Sequence, residues 1–332
     1  MDNKKKGIGI FIAAIFVISV FAFVMPVVAK TPHSGSTEVD LENNVVNWTT
    51  LYTEEEDDYF EMGFEDYYYP VDAEDSIYWV APSYVRYNVS ASEYLIGEWG
   101  SYWGGNDREY DVTMHATSIE DTPQREIARA VIQENATNSP SGSTNINVSC
   151  ELELLDDNRY FLATYKVCNI GSNTLTNVKF YVYNDLDVGS DTGNIAYYDP
   201  STDTFYQVNP ANNYVCGFRP VIHSTHHNLS YYWEGQMDAI ADDVLVDNNK
   251  YPDTGTDDCG MVAEWDVGTL NPGDCVEYPV YFCVSDTSVA DFMSCFAKPV
   301  AVPALTPIGL IALVGLLSVI VAMSIKIRKR RG

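Results

Sequence analysis

No charged residue occurs from Pro299 to Ile325, and Lys326, Arg328, Lys329, Arg330 and Arg331 follow at once. About 20 apolar residues suffice to cross a bilayer as a helix, and this run exceeds that. Basic residues stay on the cytoplasmic side of a membrane helix. The pattern predicts one membrane helix over 299–325 and a basic cytoplasmic tail over 326–332, with everything before Pro299 outside. A buried core helix accounts less well for a cationic cluster set against so long a run.

The other end fits that topology. Lys4, Lys5 and Lys6 precede an uncharged stretch from Gly7 to Ala29 that closes on Val27-Val28-Ala29. A basic start, an apolar segment and a small residue at the cut describe a secretory signal peptide over 1–29. The apolar stretch is longer than a usual signal core, so an uncleaved anchor is the alternative. "KKKGIGIF" also resembles the processing site of archaeal pilin-type precursors, which do not need a second membrane segment.

The tail "VPALTPIGL", its apolar run and its basic cluster resemble the C-terminal sorting signals of archaeal surface proteins, whose short Pro-containing motif is read by an archaeosortase-type transpeptidase. It lacks the Pro-Gly-Phe or Pro-Glu-Phe tripeptide of the clearest classes. The resemblance covers the last 35 or so residues and implies a protein anchored in the cytoplasmic membrane with its ectodomain at the cell surface.

Charge then narrows the partners. The chain has 19 Lys plus Arg and 47 Asp plus Glu. Setting aside Asp2, Lys4–Lys6 and the five basic tail residues leaves 46 acidic against 11 basic groups, a net −35 for the ectodomain. Such a surface repels nucleic acid, which needs a basic footprint. It suits cations, a salty medium or a crowded outer layer. Expected partners are the membrane and other envelope proteins or glycans.

Outside the cell, sequons become glycosylation candidates and cysteines become disulfide candidates. The sequons are Asn47, Asn88, Asn135, Asn147 and Asn228. The cysteines are Cys150, Cys168, Cys216, Cys259, Cys275, Cys283 and Cys295. None forms a C-x-x-C pair, which speaks against a zinc knuckle. The odd count predicts disulfides with at most one thiol left over; the connectivity stays open.

The fold class follows from residue type and spacing. Tyrosine is abundant at 24 residues, with six tryptophans, and aromatic and β-branched residues favour strands. Residues 30–58 read as an acidic lead-in ("TEEEDD"), flexible or irregularly stranded. Residues 59–296 read as a mainly β ectodomain, one β-sandwich or two with a break near 136–145. "DTPQREIARAVIQEN" leans to strand over helix. "INVSCELELL", "DDNR" and "YFLATYKVCNI" spell a hairpin. "KFYVYND" is a further strand, and "MVAEWDVGTLNPGDCVEYPVYFCV" holds two more joined through "NPGD". Residues 160–285 resemble β-sandwich modules of microbial surface and carbohydrate-active proteins, a likeness of fold that carries little about function.

Three stretches carry candidate chemistry. "NDLDVGSDTGN" sets Asp185, Asp187, Asp191 and Asn194 on a glycine-bent loop between strands. Oxygen ligands on such a loop suit calcium in a structural role. The stretch departs from the EF-hand and also reads as an exposed turn. "HSTHH" brings His223, His226 and His227 close enough in sequence to bind zinc or nickel, with Glu234 or Asp238 as a further ligand, although a loop without metal explains it as well. "LIGEWGSYWGG" sets Trp99, Tyr102 and Trp103 among glycines, either as a sugar-binding platform or as core rings. No G-x-S-x-G, P-loop or Rossmann glycine pattern is present, so no enzyme class is indicated. The sequence points to a membrane-anchored structural or adhesive protein of the cell envelope, with a surface carbohydrate-binding or carbohydrate-processing module as the alternative.

Overall fold

The computed structural model describes residues 38–42, 47–56, 59–65, 83–96, 112–122, 125–134, 145–155, 159–189, 192–231, 239–240 and 243–297. The predicted signal segment, membrane helix and basic tail lie outside these residues. No helix among the described residues is long and apolar enough to cross a membrane.

The chain is mainly β. Its strands are β1 (Glu38–Glu42), β2 (Asn47–Glu56), β3 (Tyr59–Glu65), β4 (Ser83–Val89), β5 (Ser92–Ile96), β6 (Val112–Thr122), β7 (Arg125–Glu134), β8 (Ile146–Leu155) and β9 (Tyr160–Asn169). There follow β10 (Leu175–Asp185), β11 (Ile195–Asp199), β12 (Thr204–Asn209), β13 (Tyr214–Pro220), β14 (His226–Tyr231), β15 (Lys250–Tyr251), β16 (Cys259–Leu270) and β17 (Cys275–Ser285), then a short helix α1 (Val289–Cys295). The strands fall within one compact unit, Met1–Phe292. They form a three-stranded sheet β1-β2-β3, a five-stranded sheet β14-β16-β10-β4-β5 and a nine-stranded sheet β15-β11-β12-β13-β17-β9-β8-β7-β6. The acidic lead-in therefore contains strands, residues 125–134 are a strand, and β7 and β8, on either side of 136–145, are neighbours in one sheet.

Alternation explains the packing. In β9 every second side chain from Phe161 is buried, as the period of two in a strand requires. The inner face of the nine-stranded sheet carries a row of phenylalanines in register: Phe205 opposite Phe218, Phe218 opposite Phe282, and Phe282 opposite Phe161. Their centroids lie 4.5, 5.6 and 4.8 Å apart in that order. Phe180 on β10 meets this layer from the five-stranded sheet. Its ring lies 5.6 Å from Trp265, 5.4 Å from Tyr278 and 5.4 Å from Tyr165. Two sheets sharing one apolar layer make a β-sandwich, and each fully buried Phe contributes roughly 1.5–3 kcal/mol.

The outer face of the five-stranded sheet is also partly covered. Tyr84, Tyr181, Tyr183 and Val262 pack there with Ile240 and Leu245, from the segment after β14. That is why β16 opens with seven consecutive buried residues where a half-buried strand would alternate.

The two tight turns at one end are crossovers between sheets. β9 belongs to the nine-stranded sheet and β10 to the five-stranded one; β16 and β17 are divided likewise. "NPGD" closes through the Asp274 N–H donating to Asn271 C=O at 2.9 Å. Gly273 there has φ +86°, the left-handed conformation that the third residue of a type II turn after Pro272 needs.

Candidate functional site

The acidic loop after β10 is a site of converging carboxylates. Asp185 is the last residue of β10 and is buried; Asp187 follows two residues on. β10 runs antiparallel to β16 with Asp185 opposite Gly260, so the chain entering β16 passes beside the chain leaving β10. That register delivers Asp258: one carboxylate oxygen from each of Asp185, Asp187 and Asp258 lies within 4.8 Å of the others. Asn194 pairs its backbone with Asp257 in an isolated bridge, and its side chain donates to Leu186 C=O at 3.4 Å. Asn209 holds the loop from below, its amide donating to Val188 C=O at 2.7 Å. Gly189 has φ +77° with the Asn212 amide close by, where a side chain would fit poorly. Three carboxylates at this spacing are hard oxygen donors able to hold a cation. Asp191 lies outside the described residues. Asp258 was not singled out in the sequence because it is remote along the chain; only its place in an Asp257-Asp258 pair at a strand start hints at it.

The three histidines do not converge. β14 places His226 and His227 on opposite faces of the strand, as alternation dictates. His227 turns inward, its ring stacked 3.6 Å from Tyr198, and its Nε2 lies 3.1 Å from Asn249 Oδ1. His223 is exposed, with Nδ1 3.8 Å from buried Asp203. Asp203 serves the fold: it accepts hydrogen bonds from Tyr198 Oη at 2.8 Å, Ser224 N at 2.7 Å and Ser224 Oγ at 2.7 Å. His226 faces outward, opposite Glu264 in register. It forms a second group with Glu264 and Asp266, whose potential ligand atoms lie within 4.8 Å of one another. Glu234 and Asp238 lie outside the described residues.

Lys179 on the neighbouring strand reaches into this second group. Its Nζ lies 2.5 Å from Asp243, 3.0 Å from Glu264 and 4.0 Å from Asp266. Burial alone would lower the lysine's pKa; hydrogen bonds to Asp243 and Glu264 outweigh it and the net shift is upward. Burial raises that of Glu264, which Lys179 only partly offsets.

Trp99, Tyr102 and Trp103 lie outside the described residues. Half-buried rings occur elsewhere, on the outer face of the nine-stranded sheet. Tyr197 on β11 stands directly opposite Tyr206 on β12, ring centroids 5.3 Å apart and planes 20° from parallel. Gly217 lies opposite Tyr206 on the next strand, and a Cβ there would come within 2.6 Å of the Tyr206 Cα. Glycine thus permits a close backbone approach beneath the tyrosine. Further along the face Tyr160 and Tyr281 meet edge to face at 6.1 Å.

Of the sequons, Asn47 lies in β2, Asn88 in β4, Asn147 in β8 and Asn228 in β14. Asn135 lies outside the described residues. Asn228 already donates through Nδ2 to Val246 C=O at 2.7 Å, and Asn147 to Gln133 Oε1 at 3.5 Å.

The cysteine expectation is corrected. Cys168 bonds Cys275, and Cys283 and Cys295 are also disulfide-bonded. Cys150, Cys216 and Cys259 are buried and lie outside these disulfides. They are spread through the apolar interior as small hydrophobic side chains, which is how a cysteine outside a disulfide packs. Burial raises the pKa of Cys150 far above its ordinary value and that of Cys259 to about 12, so neither is a ready nucleophile.

No family profile matches this chain. Among solved structures, a bacterial glucoamylase complexed with acarbose superposes with a TM-score of 0.51 at 11% identity, over 81% of this chain and 36% of that one. An alpha-galactosidase from Geobacillus stearothermophilus aligns at 9% identity and a TM-score of 0.45, over 80% of this chain and 42% of that one. A galactose mutarotase related enzyme from Lactobacillus acidophilus aligns at 11% identity and a TM-score of 0.42, over 76% of this chain and 98% of that one. The likeness to the glucoamylase is one of fold, and this chain spans little more than a third of that enzyme's length.

Proposed function

We propose that this protein is a carbohydrate-binding protein of the cell surface, held to the membrane by residues 299–325 and presenting its acidic β-sandwich outside. The observation that carries the reading is the half-buried Tyr197–Tyr206 pair on the outer face of the nine-stranded sheet, where Tyr206 also packs 5.8 Å from the Phe292 ring of α1. Sugar rings have apolar C–H faces that pack on aromatic rings, while tyrosine hydroxyls remain free to hydrogen-bond. The fold shared with a glucoamylase supports a carbohydrate role over a purely structural one. Binding without cleavage fits a chain that offers no recognisable catalytic motif, and adhesion to a glycan coat is the use such a site would have in an envelope.

The test is a glycan panel against the full chain in detergent. Binding of one sugar class, weakened by Tyr197→Ala and Tyr206→Ala with the melting temperature kept, supports the proposal. No binding by the folded protein would return the reading to a structural envelope role, and hydrolysis of a bound glycan would make it an enzyme.

The cation suited to Asp185, Asp187 and Asp258 is calcium, in a structural role. Oxygen-only donors from three carboxylates favour a hard divalent ion, and no imidazole or lysine is among them to act as an acid or base.

A further inference from the structure

We propose that His226, Glu264 and Asp266 form a zinc site on the outer face of the five-stranded sheet, separate from the aspartate loop and independent of the glycan reading. Three features of the fold converge there. First, β14 and β16 place His226 directly opposite Glu264, and Asp266 lies two residues along β16 on the same face. One ligand atom from each lies within 4.8 Å of the others. An imidazole nitrogen with two carboxylates is a borderline donor set that suits zinc better than calcium.

Second, His226 is oriented from behind. Its Nδ1 lies 3.3 and 3.4 Å from the two oxygens of Asp247. Asp247 is itself fixed by accepting from the His227 N–H at 3.0 Å. A carboxylate on one ring nitrogen holds the proton there and leaves the lone pair on Nε2, the arrangement that zinc-binding histidines use.

Third, the local charge is unbalanced. Glu264, Asp266 and Asp243 share the ammonium of Lys179, its register partner Arg86 is paired with Glu93 instead, and Asp247 adds a further carboxylate beside His226. Glu264 is 1% exposed, and its Oε1 lies 3.0 Å from the lysine nitrogen. A buried carboxylate whose ammonium partner is shared with Asp243 and Asp266 has room for a further cation. Lys179 is then the competitor of the metal: it supplies the positive charge when zinc is absent and repels zinc as it arrives.

Calorimetric titration of the full chain with zinc tests this, after a chelator wash. One zinc per chain is expected. His226→Ala and Asp266→Asn should each weaken binding by about tenfold or more. Lys179→Met should tighten it about fivefold, the effect of removing one like charge about 4 Å away at high dielectric. Glu277→Gln, an exposed position on β17, should leave zinc affinity unchanged. Cobalt taken up in place of zinc should show visible absorption bands that disappear in His226→Ala, a readout that a loss of stability alone would not give. Affinity unchanged in His226→Ala, or weakened in Lys179→Met with the melting temperature preserved, overturns the site.

Discussion

Cys168 on β9 and Cys275 on β17 are register partners across the nine-stranded sheet, and their sulfurs are bonded. The bond sits where the chain leaves that sheet for β10 and where it returns from β16, so it joins the two crossovers. The cysteines are 107 residues apart in sequence. Closing a loop of that order removes about 4.7 kcal/mol of denatured-chain entropy, and measured losses on deleting a native bridge run about 2–5 kcal/mol. Cys168→Ser/Cys275→Ser should lower the denaturant midpoint accordingly. A midpoint unchanged under non-reducing conditions would show that the bridge is not formed in the protein.

Beside that bond, Asn169 holds the same crossing by hydrogen bonds. It is fully buried. Its amide donates to Asn173 C=O at 2.8 Å and to Leu270 C=O at 2.9 Å, and its Oδ1 accepts from Gly171 N at 3.0 Å. Asn169→Leu keeps the volume but leaves the Leu270 carbonyl, at the end of β16, without that donor. An orphaned buried group costs about 1–3 kcal/mol. The expected loss in chemical denaturation exceeds that of Asn173→Ala, whose side chain faces solvent; equal losses would remove Asn169 from this role.

The crossing also marks where sequence reasoning stopped. "NPGD" announced a turn, since proline and glycine fix its dihedrals locally. Which sheet each flanking strand joins depends on partners far along the chain, so the step from β16 to β17 reads the same whether it is a hairpin or a crossover. The β class was legible because alternation in β9 is local. β16 hid its pattern because a segment containing Ile240 and Leu245 covers its second face. The same limit governed the sites. Asp185 and Asp187 were visible together on one loop, whereas Asp258 joins them only through the β10–β16 register. His226 and His227, adjacent in sequence, part to opposite faces, and the partner of His226 is Glu264 on another strand. Cysteine counting failed because a secreted context argues for disulfides in general, while each thiol's fate is set by whether a second sulfur lies across from it.

Asp291 gives the fold a pH dependence with a definite sign. Arg159 Nη1 donates to its carboxylate, Arg159 Nη2 donates to its backbone carbonyl at 2.8 Å, and Ser285 Oγ donates to the carboxylate at 2.8 Å. The arginine hydrogen bond, with help from Ser285, lowers its pKa from the usual 3.8 to about 2. A carboxyl whose pKa is lower in the folded state stabilises that state above its unfolded value, and the contribution fades as pH falls toward the folded one. The Asp291 side chain is 37% exposed, so the gain is that of a solvent-screened pair, about 1 kcal/mol at most. The stability difference between the native chain and Asp291→Asn should be constant near neutrality and shrink between about pH 4 and pH 2. A difference that grows on acidification would contradict the pairing.

The acidic loop provides the last test. Asp185, Asp187 and Asp258 bring three negative charges together on a protein that is already acidic, and their mutual repulsion opposes the close passage of the β10 and β16 ends. A divalent ion offsets that repulsion and ties the two strand ends together. An ion bound only by the folded form adds RT ln(1 + [L]/Kd), about 2.7 kcal/mol at a hundredfold excess over Kd. The melting temperature of the full chain should therefore rise from EDTA to millimolar calcium. Asp258→Asn should abolish most of that rise, as Asp185→Asn/Asp187→Asn does, because the site needs both strand ends. Sodium chloride at matched ionic strength should not reproduce the rise. If it does, or if Asp258→Asn keeps the full response, calcium acts by screening the acidic surface as a whole and the three aspartates hold no ion.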